Sequence, residues 1–446
     1  MRSRAFVITT CVFLTLVVAG AGYCLERRHA GSRELDDVRR ELGIASAADA
    51  LDQLIASAPS LDPARQGRLW GWMREEPNRQ TGHSAGQDES WFLRGEAQAP
   101  EAVTEWMRAR APRMEALRSI LAEGPVCTTT LGALAITREH LLTAESHERR
   151  VPIPNLIAMR EAYRWFGLEA MTVPDPTTAL DALDALDRSQ QHAGTLIDAM
   201  IASACAAMRD RTYLRLVLRD RAPATHLRAW LAEVPDARAQ MARAMRGERL
   251  LHWAYLADLL ERSSLPRGGD DVADTIDWWL NGDRKIARMG RHNLVAEEVL
   301  AGSRPVAALD EFVGDETNQW LFGINVPAMM ITIVSTDTGH RMARSAASLV
   351  VAQQRSGVLP GGNDEALSSV LPFRALSSGD TYAPVLRYER VEDGRFRILA
   401  DTQQGLAPDV REDLAMYIAN PPRTLDDRHA GPQVAISMWS IELRVR

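Results

Sequence analysis

The sequence predicts a mainly α fold of stacked antiparallel helices, ending in a small C-terminal α+β module that contains an antiparallel hairpin or three-stranded sheet. Two observations predict it. From Pro100 to about Leu260 the apolar residues recur at helical spacing almost throughout. Near the end, two short alternating runs, Val385 to Arg390 and Arg395 to Ala400, flank Glu392-Asp393-Gly394, and Asp-Gly between such runs is a strong hairpin signal. A chain of 446 residues, 46% hydrophobic and 25% charged, is long enough for two or three domains and can bury large cores.

The N-terminus comes first. Arg2 and Arg4 precede an uncharged, largely apolar run from Ala5 to Cys24. Roughly 20 such residues span the hydrocarbon core of a bilayer as a helix, and the run is long for the apolar part of a cleaved signal peptide. Residues 1–26 are therefore expected to form a single-pass signal anchor in the inner membrane, with the bulk of the chain periplasmic. A cleaved signal peptide, with Ala19 and Ala21 before Gly22, is the alternative.

Residues 27–76 read as a helical segment. Ser32 would cap a charged helix that stops at Gly43, Ser46 starts a second with Leu51, Leu54 and Ile55 inward, and a third runs from about Pro63 to Glu76. Residues 77–99 are polar and glycine-bearing, a linker or surface loop. Residues 100–324 form the helical domain. Pro100 suits a first helical position, with Val103, Trp106, Met114, Leu117 and Ile120 facing inward before Gly124. Another helix follows Pro154. A long helical run then begins at Thr177, and its Thr195–Met208 half is nearly apolar; at this length, and with Asp198 inside, it reads as a buried core helix rather than a membrane span. Further helices follow Pro223 and Pro235.

Residues 325–446 form the α+β module. A short apolar run from Val326 to Val334 is followed by an amphipathic segment, Ala343 to Arg355, which Gly357-Val358-Leu359-Pro360 stops. Leu386 and Tyr388 share one strand face, as do Phe396 and Ile398. Ile441 to Arg446 alternates strictly and supplies a third strand, with Trp439-Ser440 as a bulge or the strand's start. Pro408 to Ile418 suggests a short helix.

Several stretches resemble a known group of proteins. Ile157-Ala158-Met159-Arg160-Glu161-Ala162, Gly194-Thr195-Leu196-Ile197-Asp198-Ala199-Met200 and Arg246-Gly247-Glu248-Arg249 are similar to uncharacterised membrane-anchored envelope proteins of planctomycete-type bacteria. Many of these end in a module resembling the soluble part of a type II secretion pseudopilin. Ala346 to Arg355 would be that module's helix, and Asp380 to Tyr388 its aspartate loop and first strand. The turn and second strand would be Asp393-Gly394-Arg395-Phe396-Arg397-Ile398. The likeness covers about residues 150–405 and implies architecture and topology, but no activity. The Gly-Phe-x-x-x-Glu processing site of pseudopilins is missing, so assembly into a fibre is not implied.

The motifs of chemistry are sparse. Gly82-His83-Ser84-Ala85-Gly86 matches the hydrolase nucleophile-elbow pattern, but the elbow needs a buried strand before it and a buried helix after it. Glu75 to Thr81 cannot be such a strand, so Ser84 reads as a loop serine. His140 and His147 lie two helical turns apart among Glu139, Glu145 and Glu148, and His292 lies near Glu297 and Glu298; both read as solvated charged faces. Asp270-Asp271 reads as a capped loop. Of Trp278-Trp279, one packs and one is half exposed. Cys127 and Cys205 could pair in an oxidising compartment, which their sequence positions leave open. No zinc, phosphate-loop or dinucleotide signature occurs. The net charge of −7, from 52 basic and 59 acidic residues, argues against nucleic acid as a partner. The sequence thus assigns no catalytic, cofactor-binding or metal residue and implies no cofactor. It leads to a non-enzymatic, membrane-anchored envelope protein with a structural or protein-interaction role and a protein partner. The alternative is an envelope hydrolase with a site between the helical domain and the C-terminal module.

Overall fold

The structure, a computed structural model, describes residues 2–57, 60–75, 90–96, 98–143, 155–233, 236–261, 272–305, 308–309, 326–357, 385–392, 395–401, 433–436 and 440–444. It is mostly helical, with a small antiparallel sheet near the C-terminus, as the apolar periodicity predicts. Two compact units divide the chain. One comprises Met1–Ala56, Glu139–Arg150 and Met245–Ile324, and the other Ser57–Arg138, Val151–Ala244 and Asn325–Arg446.

The first unit pairs α1 (Arg2–Leu42) with α12 (Val272–Ala301) and also contains α2 (Ala47–Ala56). The single-pass signal anchor expected over residues 1–26 is overturned here: among the described residues no helix is long and apolar enough to cross a membrane. α1 runs unbroken to Leu42, and its described turns carry Glu26, Arg27, Arg28 and Arg33, so its later part is amphipathic rather than apolar all round. Ser32 caps nothing. It lies inside α1, where its hydroxyl donates to the Asp283 carboxylate of α12 at 2.5 Å. Leu35 and Val38 are buried. Gly43 stops α1 in the left-handed region at φ 65°, a conformation that glycine adopts at no steric cost.

The second unit holds α3 (Pro63–Arg74), α4 (Ser90–Arg94), α5 (Glu101–Ala122), α7 (Leu156–Thr172), α8 (Thr177–Ser189), α9 (Leu196–Leu218), α10 (Ala224–Ala232) and α13 (Val326–Ser356). Two further helices, α6 (Thr130–Thr143) and α11 (Ala237–Glu261), start in it. Local chemistry sets the boundaries. Asp62 caps α3 by accepting from the Arg65 amide, and Pro63 occupies the first helical position. Asn155 caps α7 through the Ile157 and Ala158 amides.

The long run expected from Thr177 is two helices, because Gln190 to Thr195 leave the helical path. Gly194 packs so close to Leu131 that a Cβ there would collide with it. Thr195 and Asp198 then form a capping box that restarts the chain as α9. Asp198 does more than cap. Its carboxylate accepts from the amides of Gly194 (3.0 Å), Thr195 (2.9 Å) and Thr130 (3.0 Å) and from the Thr130 hydroxyl (3.0 Å), tying the starts of α6 and α9 together.

The apolar run at Val326–Val334 and the amphipathic segment after it are one helix, α13, which Gly357 ends at φ 74°. Its small residues Ala343, Ala346 and Ala347 are buried and allow close approach to α9. Beyond it lies a four-stranded antiparallel sheet of β1 (Val385–Glu392), β2 (Arg395–Asp401), β3 (Gln433–Ile436) and β4 (Ser440–Arg444), in the order β1-β2-β4-β3. The β1–β2 hairpin and the strand starting at Ser440 match expectation, while β3 is an additional strand beyond the hairpin and third strand that the sequence predicts. Phe396, Ile398, Ile441 and Leu443 are buried in the same core as α13, with Ile398 opposite Ile441 and Phe396 opposite Leu443. On the alternate parity Glu442, 1% exposed, pairs with Arg395 (2.6 Å) and Arg397 (2.9 Å). The turn Asp393-Gly394, the loop Asp380 to Pro384 and the stretch Pro408 to Ile418 lie outside the described residues.

Candidate functional site

Within the second unit, where α8, α9 and α10 meet α13, a small cleft of about 280 Å³ opens over a cluster of buried charges. Four helices and the residue after α10 build it. α8 contributes Asp184 and Asp187, one turn apart. α9 contributes Arg209, Asp210 and Tyr213, α10 contributes Trp230, Glu233 follows α10, and α13 presents Asp337, His340 and Arg344 at successive turns. Spacing of three or four residues puts each set on one helix face.

Two centres organise the cluster. Arg209 donates to Asp184 (2.8 Å), Asp187 (2.9 Å) and Glu233 (2.8 Å), so three carboxylates converge on one guanidinium. The Tyr213 hydroxyl donates to Asp184 (3.0 Å), and its ring stacks on Trp230 at 4.9 Å. Asp210 is the second centre. It accepts from the Trp230 indole at 2.7 Å and from Nδ1 of His340. Arg344, 1% exposed, donates to the Trp230 carbonyl (2.9 Å) and lies 3.5 Å from Glu233. Asp337 accepts from the Ala237 amide at 3.2 Å, at the start of α11, where the helix dipole favours an anion.

Burial and neighbouring charge pull the protonation states apart. Burial alone would raise Asp210, but His340 and then Arg344 outweigh it and hold its carboxyl at about 2. His340 goes the other way: burial would lower it, yet Asp210 pushes it above its ordinary 6.5. Asp187 is raised to about 6 by burial, against the pull of Arg209 and with Glu233 and Asp210 adding repulsion. Burial sets that upward direction, and the surplus of carboxylates around one guanidinium adds to it. Burial likewise lifts Asp337 to about 6.

No known protein family matches this chain, and neither a curated protein nor a solved structure is significantly similar to it. Its chemistry rests on its own geometry.

The candidates singled out in the sequence are elsewhere. Ser84, His147 and Asp270-Asp271 lie outside the described residues, as do the side chains of His140 and Trp278. His292 lies half-buried on α12, but the acids near it are taken: Glu297 pairs with Arg249 (2.8 Å) and Glu298 with Arg304 (2.7 Å). Trp279 is 45% exposed beneath the Arg28 guanidinium, 4.7 Å from the ring centre. Cys127 and Cys205 are buried free thiols, not a disulfide. Burial pushes the Cys205 thiol up to about 12, which leaves it unreactive at neutral pH. The cluster has no signature in the sequence, because none of its residues belongs to a linear motif. The available signal is phase: Asp210, His340 and Arg344 fall on stripes that also carry buried apolar residues such as Tyr213, Leu214, Ala343 and Ala347.

Proposed function

We propose that this chain is a non-enzymatic protein with a structural or protein-interaction role. One observation carries the reading: the buried charges of the cleft, Arg209 with Asp184, Asp187 and Glu233, and Asp210 with His340, are spent on one another. A general base needs an accessible lone pair and a pKa near the working pH. Asp210 is ionised but accepts from Trp230 and His340, and the upward shift of His340 favours the imidazolium, which has no lone pair to offer. Ser203 and Thr336 are the hydroxyls on the cleft wall, and neither is hydrogen-bonded to a described residue through its side chain. The cluster therefore reads as a fastening of α13 to α8, α9 and α10. An envelope location is supported by the resemblance of residues 150–405 to envelope proteins.

A hydrolase is the second reading, and one observation favours it. The cleft lies where the helical domain meets the C-terminal module, and its polar groups, a His–Asp pair among them, converge as a site of this kind expects. One experiment separates the two. The purified chain and its His340→Gln variant are screened against chromogenic esters, phosphate esters and peptides while unfolding is followed in parallel. The fastening reading expects no turnover and a lowered unfolding midpoint in the variant. Turnover in the parent that vanishes in the variant at an unchanged midpoint would establish the hydrolase instead.

A further inference from the structure

A second concavity, sharing no residue with the Asp210–His340 cleft, lies among α4, α5, α7 and the end of α9, with a volume of about 640 Å³. Its size falls within the range of about 300–1,000 Å³ usual for small-molecule sites. Three aromatic rings form its apolar wall. Trp91 and Phe92 meet edge to face at 5.8 Å, and Trp165 is fixed by an indole donation to the Met107 carbonyl at 3.0 Å. The Trp91 indole nitrogen is buried and has no acceptor among the described residues, an arrangement that costs about 1–3 kcal/mol when nothing satisfies it.

The polar wall is positive. Arg108, Arg219 and Arg221 bring three guanidiniums, against one carboxylate, Glu96. Arg94 already pairs with Glu96 at 2.6 Å. Arg221 donates to the carbonyls of Met171 (2.8 Å) and Val173, which fix its position without cancelling its charge. Arg108 is exposed on α5 and pairs with no described carboxylate. Arg219 lies against the turn that ends α4. There Gly95 has φ 77°, and a Cβ would come within 2.8 Å of the guanidinium nitrogens. The turn closes through Gly95 N–H to Phe92 O and Glu96 N–H to Trp91 O, both 3.1 Å, the pattern of a Schellman cap. Glycine here therefore admits the guanidinium to the cleft wall.

We propose that this cleft binds an aromatic anion, a flat apolar body bearing one carboxylate or phosphate. The rings take the body by offset or edge-on stacking, and the guanidinium group matches the geometry of either head.

The test is calorimetric titration of the full chain with 2-naphthoate, 2-naphthyl phosphate and neutral 2-naphthamide. At least one anion is expected to bind at least tenfold more tightly than the amide, and the tighter anion identifies the head group. Arg108→Gln, an exposed change that leaves the fold intact, weakens the anion at least fivefold and leaves the amide unchanged. Thr104→Trp, an exposed position on the rim, blocks both. Absence of binding by either anion overturns the proposal, as does an amide that binds equally well or an affinity that neither substitution alters.

Discussion

Asp210 of α9 and His340 of α13 lie 130 positions apart in sequence and share a hydrogen bond in which the imidazole Nδ1–H donates to the carboxylate. Both side chains are nearly buried, at 6% and 5% exposed. Such a pair adds little beyond what well-packed apolar residues would give, but removing one partner strands the other charge. Asp210→Ala would leave His340, the Trp230 indole and Arg344 facing a void. It is expected to lower stability by about 3–5 kcal/mol, read as a shift in the urea midpoint. The double variant with His340→Ala should cost clearly less than the two single costs added together. Simple additivity would show that the two side chains are not coupled.

The same cluster makes stability depend on pH, and the sign follows from each shift. Asp210, held at about 2, contributes above its ordinary 3.8 and is lost as pH falls toward 2. His340, raised above 6.5, contributes below that value and is lost as pH climbs through its higher one. Asp187 and Asp337, raised to about 6, favour the fold below 3.8 and lose that contribution as pH rises through about 6. Three of the four thus favour mild acid over alkali. The urea midpoint is expected to be higher at pH 5 than at pH 8, and Asp187→Asn should flatten the profile. At about 1.4 kcal/mol per pKa unit, Asp187 alone accounts for at most about 3 kcal/mol. A midpoint that rises from pH 5 to pH 8 would contradict this.

Asp198 offers a test at a different joint. It is 2% exposed and accepts from three amides and a hydroxyl at the starts of α6 and α9. Asp198→Ala leaves those donors buried and unmatched, so a loss of at least about 2 kcal/mol is expected. Asp198→Asn keeps an acceptor oxygen and should recover part of it. If the two variants unfold at one midpoint, the carboxylate is not the joint.

What the sequence shows and what it hides divide along physical lines. The starts of α3 and α5, the end of α13 and the β1–β2 hairpin are legible because local periodicity and end signals suffice: Pro63, Pro100 and Gly357 all act within a few residues. The break at Gln190–Thr195 is not legible, since what demands it is Leu131, more than sixty positions earlier, pressing on Gly194. The apolar run after Ala5 illustrates the opposite error. Read alone it suggests a bounded span, yet α1 continues through Glu26, Arg27 and Arg28 and packs Leu35 and Val38 inward. His340 and Asp210 escape notice for the reason that Leu131 does: the partner that gives each its role is remote in sequence.

Two helix glycines should answer oppositely to the same substitution. Gly290 of α12 lies where a Cβ would come within 2.8 Å of the Trp253 ring and 2.9 Å of a Val38 methyl. Trp253 is fully buried and Val38 is 1% exposed, so neither can give way without disturbing the α1–α12 core. Gly290→Ala is therefore expected to cost about 1–3 kcal/mol as overpacking, despite the better helix propensity of alanine. Gly339 of α13 has nothing within 4 Å of the same added atom. There the unfolded chain loses freedom with no clash to offset it, and Gly339→Ala should stabilise by about 0.5–1 kcal/mol. Thermal or urea unfolding of both variants reads the signs directly. A Gly290→Ala protein as stable as the parent would mean that α1 and α12 are not packed this closely.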